Sequence, residues 1–232
     1  MIGKLWRYAR GSGGKGFGRV FKRDGRDAAY SMARTLAAEP PAVLPLPQRR
    51  TWRIDRRYQL DQGPNPWCVA ATGMHWERST PVGTAPAMLM YMLYQFCKDI
   101  DGDANPGTTA RSLMRVYKQR AQVEAYVWAD DLKTLTTWIL ARGPVMFGTW
   151  WTTGMSRPSL TTGYIEPTGS IQGGHEVLLM GYDAGKKTTT ILNSWGSSYG
   201  RDGRAFVHDD VLGELLRNDG DAVAASQIRG PR

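Results

Sequence analysis

Asp61-Gln62-Gly63-Pro64-Asn65-Pro66-Trp67-Cys68-Val69-Ala70-Ala71-Thr72-Gly73 is the stretch from which the rest of the chain is read. It sets a glutamine six residues before a cysteine, and Gly63, Pro64, Asn65 and Pro66 forbid regular structure between them. An alanine-rich run follows, so the spacing predicts a bent loop that feeds a helix with Cys68 in its first turn. A helix start carries unpaired N–H groups and a partial positive charge, both of which favour thiolate over thiol. The Cys68 N–H and the Gln62 side-chain amide can converge as two donors for a developing oxyanion.

The chain has 232 residues and 41% hydrophobic content, enough for a sizeable core in one domain or two packed lobes. Its two cysteines, Cys68 and Cys97, imply no disulfide framework. Cys97 falls among Met90, Leu93, Tyr94 and Phe96 and reads as core filler. The first thirty residues hold no apolar run of signal-peptide length, and no window suits a membrane span, so a cytoplasmic or virion-associated location is expected. The net charge of +9 is local: residues 1–57 carry 14 Lys/Arg against 4 Asp/Glu, and residues 58–232 carry 16 against 17. Basicity therefore belongs to an N-terminal arm and says little about the chemistry of the body.

Residues 1–42 mix large apolar residues (Leu5, Trp6, Tyr8, Phe17, Val20, Phe21) with charge and glycine. They read as a tether, an anchor into a larger assembly, a contact for nucleic acid or an anionic surface, or a short pro-segment. A helix-compatible piece runs from Asp27 to Ala38, and the prolines after it place a linker before a domain spanning 43–232. Helices are expected over Cys68–Arg78, from Thr84-Ala-Pro86 to Lys98, from a Thr108 or Thr109 cap to Arg120, and from an Asp130/Asp131 cap to Gly143. The period then changes, and Val145–Trp151, His175–Tyr182, Thr188–Trp195 and Arg204–His208 read as strands before a last helix, Asp210–Arg217. The fold class is α+β, with a helical lobe over about 58–142, a β-rich lobe over 143–232, and a site in the cleft between them.

His175 stands where Gly173-Gly174 hand over to a buried strand. If Tyr182 opposes Thr188 across the turn, Asn193 opposes Val177. His175 and Asn193 then share a face as diagonal neighbours about 7–8 Å apart at the backbone, where an amide can hold the imidazole in one tautomer.

Cysteine, histidine and asparagine in that order, with an upstream glutamine, resemble the papain-like cysteine peptidase family. The pieces that match are Asp61 through Cys68, Gly173-Gly-His-Glu-Val-Leu-Leu-Met-Gly-Tyr-Asp183 and Asn193-Ser-Trp-Gly-Ser-Ser-Tyr-Gly-Arg-Asp-Gly203, with weaker likeness at Leu44–Asp55, Pro106-Gly-Thr108 and Gly143-Pro-Val145. The resemblance implies a two-lobe fold, Cys68 as nucleophile, His175 as its acid/base partner in a thiolate–imidazolium pair, Asn193 orienting His175, and Gln62 donating to the oxyanion. It implies that Trp195 shields the His–Asn contact and that Gly173 and Gly174 border the substrate. It implies no metal and no cofactor, and a protein or peptide as substrate.

The chain departs from the family at several positions. Trp67 stands where a small residue usually precedes the nucleophile, either lining the substrate channel or moving core bulk by one position. No Cys-Asn-Gly-Gly strip is present, and Glu176 replaces a small residue after the histidine, on a strand face turned away from His175. These features resemble divergent bacterial and viral members. The expected function is a cysteine endopeptidase. The alternatives are a papain-fold amidase acting on cell-wall cross-bridges or isopeptides, and a structural component, for example of a phage particle, that retains the fold.

Overall fold

The computed structural model describes residues 15–22, 24–42, 44–83 and 88–228. Among them are a short 3-10 turn at Gly25–Ala29 and six α-helices: α1 (Met32–Ala38), α2 (Cys68–Arg78), α3 (Met90–Asp101), α4 (Ala110–Gln119), α5 (Leu132–Ala141) and α6 (Asp209–Arg217). The seven strands are β1 (Arg49–Thr51), β2 (Val123–Trp128), β3 (Val145–Thr152), β4 (Ile171–Asp183), β5 (Thr188–Leu192), β6 (Arg204–His208) and β7 (Asp221–Ile228). The expected helix opening at Thr84-Ala-Pro86 and the basic stretch Met1–Arg10 lie outside the described residues.

Local chemistry accounts for the helix boundaries. Thr109 caps α4 by accepting from the Ser112 N–H, and Asp131 caps α5 by accepting from the Thr134 N–H. The chain leaves α3 through Gly102 at φ 68°, a left-handed turn that glycine adopts without a Cβ clash.

The strands form one antiparallel sheet in the order β2-β7-β3-β4-β5-β6, and β1 pairs with the C-terminal end of β4. Period-two alternation sorts its side chains between two cores. Val145, Phe147, Trp151, Val177, Leu179 and Ile191 pack on one face with Trp138 and Ile139 of α5 and Leu212 of α6. Met146, Leu178, Met180, Leu192 and Val223 pack on the other with Val69, Leu93, Leu113, Met114 and Tyr117 from α2, α3 and α4.

The structure alters three expectations about organisation. Strands β2 and β7 were not foreseen, because Val-Glu-Ala-Tyr-Val-Trp and an alanine-rich segment carry weak strand signals; pairing with each other and with β3 decides their conformation. The lobe division also moves, since β2 and α5, both before residue 143, join the sheet and its outer core. Residues 15–42, expected in a separate arm, pack on the body instead: Met32 is fully buried in the outer core, Phe17 is nearly so, and the Trp128 N–H donates to the Tyr30 carbonyl over 2.7 Å. The arm carries apolar side chains at these points, and burying them outweighs the backbone freedom its glycines retain.

Candidate active site

Helix α2 begins at Cys68 as expected, with Trp67 at the cap position and no side chain capping its first N–H groups. The loop before it is stitched by Gln62: its N–H donates to the Ser194 carbonyl (2.9 Å) and its Oε1 accepts from Ser194 Oγ (2.6 Å). Its Nε2 donates to the carbonyls of Asn65 (2.8 Å) and Gly16 (3.1 Å). Trp67 turns toward the helical lobe, with its ring 5.6 Å from Tyr91 and 6.3 Å from Tyr94, and so adds bulk there.

His175 sits on β4 with its Nε2 2.8 Å from Asn193 Oδ1. The same Oδ1 accepts the Ser194 N–H over 2.7 Å, which fixes the orientation of the amide. The imidazole must therefore carry its proton on Nε2, leaving the Nδ1 lone pair open; Nδ1 is buried and has no hydrogen-bond partner among the described residues. Trp195 stacks on the imidazole at 4.5 Å between centroids, and Trp151 closes its edge at 4.9 Å.

The strand register that brings His175 to Asn193 differs in part from the one expected. At the turn, Asp183 opposes Thr188 and Tyr182 opposes Thr189, one residue out of step with the assumed pairing. An irregularity between Leu179 and Gly181 restores the assumed alignment, so that Leu178 opposes Leu192. Strand β5 ends there, and Asn193 continues from it toward His175.

Cys68 is fully buried at the start of α2. Cys68 packs in the same core as Leu178 and Met180 of β4, the strand that carries His175. Thr72 on the next turn of α2 ties the two lobes by donating to the Glu176 carbonyl at 3.0 Å. Gln62, Cys68, His175 and Asn193 are thus gathered where α2 abuts β4.

The arm fills the cleft they line. Gly16 N–H donates to the Gly63 carbonyl, Gly18 N–H and Arg19 N–H to the Gly174 carbonyl, and Val20 N–H to the Thr108 carbonyl, which Thr108 answers by donating to Gly18 O. Phe17 stands edge-on to His175 (5.7 Å) and Trp195 (5.6 Å). A Cβ on Gly16 or Gly18 would overlap the backbone of Asn65 or Pro66, so the Gly-Phe-Gly alternation lets the arm lie flush against the loop before Cys68. Gly173 and Gly174 meet this arm directly, against Phe17 and the Arg19 carbonyl.

Burial sets the protonation states. Burial, with the neighbouring Glu176 carboxylate adding to it, pushes the Cys68 thiol up to about 12, and burial pushes His175 down to about 4 against the opposing hydrogen bond from Asn193. With the arm in place the pair is a neutral thiol and a neutral imidazole, not the ion pair that the resemblance implies. Among the described residues no group of three or more His, Cys, Asp or Glu side chains is placed to hold a metal ion, and no helix is long and apolar enough to cross a membrane.

Sequence reasoning singled out Cys68, His175, Asn193 and Gln62 but missed the arm residues that cover them. The signal was the run Gly16-Phe17-Gly18, an aromatic between two residues that allow close backbone approach.

A family model described as "Papain family cysteine protease" matches residues 94–213, a segment that holds His175 and Asn193. A search of curated protein sequences found no match. Among solved structures, xylellain, a cysteine protease from Xylella fastidiosa, superposes with a TM-score of 0.71 at 19% identity over 97% of this chain and 99% of its own. Digestive procathepsin L2 proteinase from Tenebrio molitor larval midgut gives 0.66 at 16% identity over 91% and 78%. Bromelain from Ananas comosus, in complex with the E64 inhibitor, gives 0.58 at 15% over 78% and 100%. With the family model spanning more than half of the sequence, the chain belongs to the papain family of cysteine proteases and is a peptidase of the hydrolase class.

Proposed function

We propose that this chain is an endopeptidase that cuts peptide bonds through an acyl-enzyme on Cys68, and that residues 15–22 are a pro-segment that keeps it latent. The observation that carries the chemistry is the hydrogen bond from His175 Nε2 to Asn193 Oδ1, which leaves Nδ1 as the open base on the strand beside Cys68. Once the arm leaves, water reaches the site, the desolvation that holds both groups neutral is relieved, and Nδ1 can take the Sγ proton. The thiolate adds to the carbonyl carbon of the substrate. Gln62 Nε2, released from the Gly16 carbonyl, and the Cys68 N–H are the donors for the oxyanion. The imidazolium then protonates the leaving amine as the C–N bond breaks, giving a thioester and a new amino terminus. His175 next takes a proton from water, whose oxygen attacks the thioester, and the acid leaves with the thiol restored.

Asn193 and the stacked Trp195 keep the imidazole in this tautomer throughout. The latent state is supported by the arm itself, which holds both sides of the cleft and spends Gln62's donor on its own carbonyl. The test is turnover of fluorogenic peptides and of cell-wall cross-bridge fragments by the chain with Phe17→Ala, compared with the same chain carrying Cys68→Ala. Peptide cleavage that vanishes with the cysteine supports the endopeptidase; cleavage confined to cross-bridges transfers the mechanism to an amidase; cleavage that survives Cys68→Ala overturns it.

A further inference from the structure

We infer that Glu176, Gly148 and Asp221 form a specificity pocket for an arginine side chain of the substrate, and that Arg19 of the arm occupies this pocket in the closed chain. The inference rests on the peptidase reading and adds a substrate class to it. Gly148 is the middle member of a cross-strand row: it opposes Glu176 on β4 and Asp221 on β7. Opposed residues project to the same face, so the two carboxyls flank a position that has no side chain of its own. A Cβ on Gly148 would overlap Glu176 Oε2, Asp221 Oδ1 and Arg19 Nε together, which locates the guanidinium over bare backbone between the two acids.

Arg19 Nη2 lies 3.1 Å from Asp221 Oδ1 and 2.7 Å from the Asp219 carbonyl, and its side chain is wholly buried. Both Glu176 oxygens are buried with no hydrogen-bond partner among the described residues, as are Arg19 Nε and Nη1. The pocket therefore holds two acids against one guanidinium that fully engages neither. Such a cluster is costly to bury and weak as a stabilising device, since apolar side chains of similar volume serve a fold as well or better. The same groups suit recognition, because a planar guanidinium can be shared between two carboxyls.

The arm also indicates which part of a substrate enters. Gly18 is the arm residue that lies between the Pro66 backbone, just before Cys68, and the Gly174 carbonyl, just before His175; Phe17 lies on the His175 and Trp195 side, and Arg19 lies on the Thr108 side. His175 serves the leaving amine, so the Phe17 side takes the leaving group and the Arg19 side takes the acyl portion. The arginine that fills the pocket is accordingly one residue before the residue that is acylated.

The test uses the full chain with Phe17→Ala and Arg19→Ala, and two acyloxymethyl ketones that alkylate thiols, acyl-Arg-Ala and acyl-Leu-Ala. Arm opening multiplies both labelling rates equally, so their ratio reads the pocket alone. The Arg probe is expected to label Cys68 about thirtyfold faster or more, because a neutral side chain leaves buried acids unpaired. Glu176→Gln and Asp221→Asn should each lower the ratio at least severalfold, with labelling by iodoacetamide retained. Labelling of Cys68 by both probes at similar rates, or a ratio unmoved by the two substitutions, overturns the pocket and leaves the peptidase reading standing. Failure of every thiol reagent to label Cys68 in the opened chain overturns the peptidase reading and the pocket with it.

Discussion

Truncating Phe17 to alanine tests whether the arm controls access to Cys68. Phe17 is 7% exposed and stands edge-on to both His175 and Trp195, so the substitution removes a buried ring from the centre of the site. Phe→Ala changes in cores cost about 3–5 kcal/mol. Phe17 belongs to the arm, which between residues 15 and 20 is held to the body by backbone hydrogen bonds, the Gln62 amide on the Gly16 carbonyl and the polar contacts of Lys15 and Arg19, so the loss falls first on docking of the arm. At the lower figure, with about 1.4 kcal/mol for each factor of ten, the open population rises about a hundredfold. The assay is the rate of Cys68 alkylation by iodoacetamide at pH 7, read by peptide mapping, with buried Cys97 as the internal reference. Cys68 should label about a hundredfold faster in the variant, up to the ceiling set by a fully open site, with Cys97 unchanged. A fall in Tm with no change in Cys68 labelling would refute the reasoning, because the ring would then stabilise the body without gating the thiol.

Three further outcomes follow from the packing of the body and the site. Met32→Ala should cost about 2–5 kcal/mol and lower Tm by roughly 5–15 °C, since Met32 is fully buried; a change within a degree in thermal unfolding would mean that α1 contributes nothing to the core. In the closed chain His175 and His75 should stay neutral through pH 5 by imidazole NMR, because burial lowers them to about 4 and about 3. Folded values below the unfolded one mean that their contribution to stability is intact above about pH 6.5 and is lost as pH falls toward 4; a ring titrating near 6.5 contradicts this. Asn193→Ala in the Phe17→Ala background should lower kcat about tenfold to a hundredfold by freeing the imidazole to turn, and unaltered kcat would remove Asn193 from its orienting role.

The legibility of the chain followed the strength of its local chemistry. Helix α2 was readable to the residue because proline and glycine enforce the loop before Cys68 and an alanine-rich run follows it. Helices α4 and α5 were readable to within a residue or two, because each of the candidate cap pairs Thr108/Thr109 and Asp130/Asp131 contains the residue that caps the helix. His175 and Asn193 were found because strand periodicity fixes side-chain direction, and the misjudged turn register was repaired by an irregularity near Met180 that no residue pattern announces. Strand β7 was hidden because alanines become a strand only between two partners. The role of Arg19 was hidden most deeply: its partners Glu176 and Asp221 are 157 and 202 positions away, and only the β7-β3-β4 order brings them together over Gly148. Composition described the arm as basic and glycine-rich, which is true of its content and silent about its docking.

The most direct test of the central claim is the mass and location of the adduct formed when the Phe17→Ala chain meets a peptidyl epoxide at pH 6, compared with the same chain carrying His175→Ala. A single adduct on Cys68, formed quickly and slowed by two orders of magnitude or more, roughly, without the imidazole, is the predicted result. Equal labelling of Cys68 with and without His175 would contradict the account, as would an adduct on Cys97 in place of Cys68.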